Sequence, residues 1–319
     1  MSNRISIVTS VFNRANYIKR LYKSLCDQEF KDFEWIIGND GSNDNIEEVI
    51  KGIIEDASFK IKFISGSIRC GKSKIDNKMI SEASGDFIIF CDSDDWLEKN
   101  TLSRMLNEFE KNYDRNLAGV IGLAADNLNY NKSKFPDSLS KDKYKLVEIF
   151  FEHRFQDDCA FMIKTELLKN TKFQEIDMYI PEGSLWIYFS SYNFALCKEI
   201  MLNKEYNSDH RISFSRRFEY SRGKAVSMKL LYSFLFSPSS SSYKKIRYIF
   251  SYLRFSIHGD LNLNMKVFGW PFRTKILILS LLPFVKVLCF IDLMLKRVEK
   301  THQMFNKSIK KVDYKILDN

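Results

Sequence analysis

The stretch Phe87-Ile88-Ile89-Phe90-Cys91-Asp92-Ser93-Asp94-Asp95-Trp96 constrains the fold more than any other part of the chain. It opens with an apolar run that shows no polar alternation. Such a run reads as a strand buried on both faces, and strands of that kind belong to parallel sheets covered by helices on each side. It then ends in three carboxylates within four residues. Like charges crowded at one strand end repel, so a cation is expected beside them. Carboxylate oxygens suit a hard ion, Mg2+ or Mn2+, and Mg2+ commonly shares its shell with substrate phosphates. The same aspartates also suit a solvated turn that caps the following helix.

The flanking sequence supports a covered parallel sheet. Over the first ~125 residues, strand and helix patterns alternate as in α/β proteins. Strands are expected at 5–10, 33–38, 61–65, 87–91 and 119–125, and helices at 17–27, 46–55, 75–83 and 100–112. In the first helix Ile18, Leu21, Tyr22 and Leu25 share one face at helical spacing. The second strand runs into the turn-forming sequence Asn39-Asp40-Gly41-Ser42-Asn43-Asp44. Residues 126–142 are polar and read as a loop. A strand is expected at 159–163 and a helix from Glu182 towards residue 193, behind Pro181. Ligands of open α/β sheets bind beyond the carboxyl ends of the strands, where strand order reverses.

The six cysteines are scattered without paired spacing, which favours reduced thiols in a cytosol over a disulfide frame. Four isolated histidines form no zinc motif. The chain enters its first strand at once, so no signal peptide is expected. The net charge of +9 is concentrated: from residue 240 onward there are 15 Lys and Arg against 5 Asp and Glu. Serines around residues 237–242 read as a linker. Two domains are therefore expected, 1–236 and 237–319, the second basic, apolar and helical around 246–255 and 276–295. The latter segment approaches membrane-spanning length, but Pro283, Lys286 and Asp292 interrupt it. An interfacial, half-embedded helix pair on an anionic membrane is the expectation, a plain packed helical subdomain being the alternative, and no nucleic-acid module is recognised.

Four segments, in order, resemble the inverting family 2 glycosyltransferases of the GT-A fold, a Rossmann-like α/β fold. The first is Ser6-Ile7-Val8-Thr9-Ser10-Val11-Phe12-Asn13-Arg14, with Phe12 where the family usually has tyrosine. The second is Asn39-Asp40-Gly41-Ser42, with Asn39 where the family has aspartate. The third runs from Gly71-Lys72-Ser73 through Asn77 and Ala83-Ser84-Gly85-Asp86 into the acidic cluster. The fourth is Ile180-Pro181-Glu182-Gly183-Ser184-Leu185-Trp186. The resemblance covers roughly residues 4–212 and implies a UDP-sugar donor. Thr9, Val11, Asn13, Asp40, Arg69, Lys72, Asn77, Asp92 and Ser93 would line the nucleotide-sugar site, with Asp40 on the base. Asp94 and Asp92 would hold Mn2+ or Mg2+. Glu182 would be the base that takes the acceptor hydroxyl's proton, Asp157 and Asp158 being the competing candidates, and Trp186 would wall the acceptor. With the basic tail, the resemblance implies bacterial surface-polysaccharide assembly: a hexose moved to a glycan or polyprenyl-diphosphate-linked sugar at the inner face of the cytoplasmic membrane.

A reading from another class comes from Gly66-Ser67-Ile68-Arg69-Cys70-Gly71-Lys72-Ser73, which satisfies the phosphate-loop pattern between an expected strand and helix. A nucleoside triphosphatase would use this loop. It would leave Asn39-Asp40-Gly41-Ser42 and the three aspartates without a role.

Overall fold

The computed structural model describes residues 4–126, 134–155, 157–205, 218–235, 242–261, 272–295 and 312–319. Its first half follows the expected alternation closely: β1 (Ile5–Val11), α1 (Ile18–Cys26), β2 (Phe33–Asn39), α2 (Ile46–Asp56), β3 (Lys60–Gly66), α3 (Lys72–Glu82) and β4 (Phe87–Phe90). A two-residue strand β5 (Trp96–Leu97), α4 (Thr101–Lys111) and β6 (Leu117–Asp126) follow. Next come β7 (Lys143–Lys145), a π-helical turn at Glu148–Glu152, β8 (Cys159–Lys164) and α5 (Thr165–Lys169). After the single helical turn α6 (Gly183–Trp186) and a 3-10 turn at Ile187–Phe189, the chain enters the long strand β9 (Asn193–Lys204). Helices α7 (Ser221–Leu235), α8 (Ser242–His258) and α9 (Phe272–Met294) precede a last strand, β10 (Tyr314–Asp318).

The strands form one sheet in the order β10-β3-β2-β1-β4-β8-β6-β9-β5, with β7 alongside β9. β3, β2, β1 and β4 are mutually parallel. β1 lies between β2 and β4, so strand order reverses there and the carboxyl ends of β1 and β4 flank the switch point. Beyond β4 the sheet is mixed, with β8 antiparallel to both β4 and β6.

Burial explains the continuous apolar runs. Every residue of β2 is buried, including the fully covered Trp35. A covered side chain of this kind contributes on the order of 1.5–3 kcal/mol. On one side Ile5, Ile7, Phe33, Trp35 and Ile37 pack with Ile18, Leu21 and Leu25 of α1 and Ile46, Ile50 and Ile53 of α2. On the other, α3 crosses β2 so closely that a Cβ at Gly38 would lie 2.5 Å from Ile75 Cγ1.

Two elements differ from the sequence expectation. The helix expected from Glu182 towards 193 stops after one turn and gives way to β9, whose Phe194–Cys197 segment is wholly buried. Pairing with β6 and β7 prevails there over local helical pattern. The helical reading of the tail did not anticipate β10, which pairs antiparallel with β3. The expected boundary at 236/237 and the serines at 237–241 lie outside the described residues, as do residues 127–133 of the expected 126–142 loop, whose remaining residues 134–142 form neither helix nor strand.

Backbone packing groups the chain into two units. One comprises Met1–Lys172, Tyr188–His210 and Lys311–Asn319, and the other Phe173–Ile187 and Arg211–Lys310. In the second, Ala225, Tyr232, Ile249, Leu253, Ile278 and Val285 from α7, α8 and α9 form a small apolar core.

Candidate active site

At the carboxyl end of β1, Asn13 adopts the left-handed conformation (φ 53°). Its N–H donates to Ser42 Oγ (3.0 Å) and its Oδ1 accepts from Asn43 N–H (2.9 Å), tying the end of β1 to the turn after β2. Val11 is buried, and its carbonyl accepts from Asp40 N–H (2.9 Å). Gly41 (φ 65°) is required by proximity as well as conformation: a Cβ there would lie 2.4 Å from the backbone of Ile68 and Arg69.

The Asp40 carboxylate, 5% exposed, accepts through Oδ1 from the amides of Cys70 (2.6 Å) and Gly71 (2.8 Å). Arg69 lies 4.0 Å from Oδ2 and stacks over the Phe12 ring at 4.1 Å. Burial raises the Asp40 pKa, and the two amides and Arg69 offset only part of that rise. This arrangement disposes of the phosphate-loop reading of 66–73. A phosphate loop offers its amides to the ligand, whereas Cys70 and Gly71 direct theirs at Asp40.

The acidic turn follows β4 directly, closed by a hydrogen bond from Asp95 N–H to the Asp92 carbonyl (3.1 Å). Each carboxylate faces a different cation. Asp92 lies 3.7 Å from Lys72 Nζ, Asp94 2.5 Å from Arg14 and Asp95 3.7 Å from Lys204. Arg20 donates to the Asp94 carbonyl (2.6 Å), pairs with Glu205 and covers Trp96. Lys204 also reaches Asp158 (3.3 Å), linking that residue to the turn. Desolvation works against ionised Asp92, but Lys72, Lys204 and Arg14 outweigh it and hold its pKa below the ordinary value. Asp95 goes the other way, pushed up to about 8 by burial despite Lys204, with Asp92 and Asp94 adding to the rise. A donor set of carboxylate oxygens alone fits Mn2+ or Mg2+. Asp92, with its side chain 44% exposed, is the most accessible of the three.

The remaining expected residues fall as follows. Thr9 is fully buried in β1, its hydroxyl accepting from the Trp35 indole (3.0 Å). Ser93 is buried inside the acidic turn, and Asn77 lies partly exposed on α3. Glu182 belongs to the second unit, at the N-cap of α6, its carbonyl accepting from Leu185 N–H (2.8 Å). Trp186 ends α6, and its side chain lies outside the described residues.

Arg20, Lys204 and Glu205 went unnoticed in the sequence, and Arg14 was visible only as a neighbour of Asn13. Lys204 and Glu205 carry no local signal, since only the pairing of the end of β9 with β5 brings them beside the acidic turn.

Residues 6–171, just over half of the 319 residues, match the family model described as "Glycosyl transferase family 2". The chain belongs to glycosyl transferase family 2. Among curated relatives, it is 27% identical over 209 residues to the GalNAc(5)-diNAcBac-PP-undecaprenol beta-1,3-glucosyltransferase of Campylobacter jejuni. That match spans 65% of this chain and 66% of the relative, just under two thirds of its length. An uncharacterised glycosyltransferase of Methanocaldococcus jannaschii is also 27% identical, over 67% of this chain and 74% of its own. Solved structures with the same fold include Staphylococcus aureus TarS 1–349 in complex with UDP-GlcNAc (TM-score 0.57, 15% identity, 95% of this chain and 83% of that one). The Pyrobaculum calidifontis mannosyltransferase PcManGT in complex with GDP-Man and Mn2+ is another (TM-score 0.52, 11% identity, 97% and 88%).

Proposed function

We propose that the chain transfers a hexose from a UDP-sugar to a hydroxyl of a glycan or polyprenyl-diphosphate-linked acceptor, with inversion and with a divalent ion at Asp92 and Asp94. The observation that carries this reading is the acidic turn Asp92–Asp95 at the strand-order switch, rimmed by Lys72, Arg14 and Lys204. Negative side chains there suit a divalent ion, and the surrounding cations suit a diphosphate.

In this mechanism the uracil and ribose lie along the ends of β1 and β2, against Asp40, Arg69 and Phe12. Asp40 is held in place by the Cys70 and Gly71 amides. Lys72 and Arg14 face the diphosphate, their charges offsetting the negative charge that grows as the nucleotide departs. Asp94 and Asp92 are the residues that would hold Mn2+ or Mg2+, which when bound supplies Lewis-acid stabilisation of the leaving diphosphate. Glu182 takes the proton of the acceptor hydroxyl as that oxygen bonds to the anomeric carbon and the carbon–oxygen bond to the diphosphate breaks. Inversion follows from this single displacement.

Relatives and neighbours support the finer points: the Campylobacter protein is a glucosyltransferase of an undecaprenol-linked glycan, and TarS and PcManGT are complexed with UDP-GlcNAc and GDP-Man, the latter with Mn2+. We place the enzyme on the cytoplasmic face of a bacterial membrane, where a lipid-linked acceptor would present its sugar. A turnover screen over UDP-hexoses with a polyprenyl-linked acceptor, with Mn2+ and with chelator, tests the reading. Mn2+-dependent transfer from one UDP-sugar is expected. Transfer at the same rate in chelator, or hydrolysis of nucleoside triphosphate instead, would contradict it.

A further inference from the structure

α9 is apolar nearly all round, and a helix of that kind is ordinarily covered on every side. Here one face alone is covered by protein. Ile278, Val285 and Cys289 are buried against α7 and α8, while Ile276, Leu279, Phe284, Val287, Phe290 and Met294 are each more than half exposed. At helical spacing these six gather on the side opposite the buried stripe. Among the described residues, Arg273–Met294 is the one helix long and apolar enough to cross a membrane by length and composition.

The buried face argues against spanning. Asp292, fully buried, is gripped by Arg254 of α8 in a two-pronged ion pair, Nε to Oδ2 at 2.7 Å and Nη2 to Oδ1. His258 of α8 approaches the same Oδ2 at 3.0 Å. The atoms of His258, Cys289 and Asp292 lie close enough together for a metal, within 4.8 Å, but the guanidinium already supplies the positive charge that Asp292 needs. Moving α9 alone into a bilayer would strip Asp292 of both partners in a medium that penalises charge. α8 cannot accompany it, because Lys244, Lys245 and Arg247 make its first turns strongly basic.

We propose that α9 lies in the plane of an anionic bilayer, its outward face among the acyl chains and its inward face pinned to α8 by the Arg254–Asp292–His258 node. Charge complementarity identifies the occupant. α8 and α9 carry seven Lys and Arg against a single acidic residue, Asp292, which is neutralised internally. Lys275 and Lys286 flank the apolar face at angles where their stems reach headgroups. The inference deepens, and rests on, the membrane-side reading proposed above.

The test uses the full chain with vesicles of phosphatidylcholine alone and with about one quarter phosphatidylglycerol. Co-sedimentation is expected with the anionic vesicles, weakening between about 0.1 and 0.5 M salt. The double variant Val287→Glu/Phe290→Glu should lose about tenfold or more of this binding, and Lys275→Glu/Lys286→Glu should also weaken it. Val287, Phe290 and Lys286 are exposed and Lys275 is half-buried, and unaltered circular dichroism and UDP binding would show the fold and donor site intact. Equal binding of wild type and both variants would overturn the proposal. So would resistance to alkaline carbonate extraction, which marks a spanning helix, or a lipid-free dimer that Val287→Glu/Phe290→Glu dissociates. Vesicle binding without UDP binding would instead sink the donor reading and leave this surface standing.

Discussion

Asn39 shows how a departure from a family pattern can be local bookkeeping of donors and acceptors. Its Nδ2 donates to Ser65 Oγ (3.1 Å), its Oδ1 accepts from Ser42 N–H (2.9 Å), and the Ser65 hydroxyl donates to Glu47 (2.6 Å). An aspartate at 39 would set an acceptor against a hydroxyl whose proton is already committed. We therefore expect Asn39→Asp to destabilise the protein by about 1–3 kcal/mol by urea melting; an unchanged midpoint would contradict this. Glu34 gives a pH signature. Its side chain is fully buried, and although desolvation opposes ionisation, hydrogen bonds from Ser6 and Ser84 with the Lys60 charge lower its pKa. A carboxyl lowered on folding stabilises the native state above its unfolded pKa, and that stabilisation is lost as pH falls through the folded value. Thermal stability should thus fall as pH drops below about 4. Glu34→Gln, less stable at neutral pH, should fall less over the same range; parallel curves would refute the assignment.

At the scale of elements, the register of α3 on β2 depends on Gly38. Gly38→Ala should cost about 1–3 kcal/mol by overpacking against Ile75 and Met79, read as a lower urea midpoint, and a neutral effect would mean α3 shifts freely. β10 guards an edge and steadies a loop. Ser67 N–H donates to the Asp313 carbonyl (3.0 Å), and Asp313 N–H donates to Ser67 Oγ (3.2 Å), just before the residues that hold Asp40. Ending the chain at residue 311 should expose β3 as an aggregation-prone edge and weaken UDP binding about tenfold; retained solubility and affinity would show β10 to be dispensable. The parallel core and acidic turn were legible because each is contiguous in sequence: an apolar run, then charges. β9, β10 and the cations they bring were not. Their pairing partners lie far away along the chain, and no periodicity announces a lysine at residue 204 as a neighbour of Asp95.

At the scale of the whole molecule, donor and acceptor chemistry are assigned to residues of different units, Asp92 and Asp94 in one and Glu182 in the other. The two halves of the account can therefore fail separately. Glu182→Gln should lower kcat by about 10²–10⁴-fold while leaving UDP affinity unchanged. A near-normal kcat would move the base to Asp158, which Lys204 already links to the acidic turn. The metal-bound diphosphate is the claim on which the rest stands, and calorimetric titration of UDP into the full chain tests it most directly. The account predicts binding about tenfold or more tighter in Mn2+ than in chelator, with that gain abolished in Asp94→Asn. Equal affinity with and without the ion, or an Asp94→Asn protein that keeps the full Mn2+ effect, would contradict it.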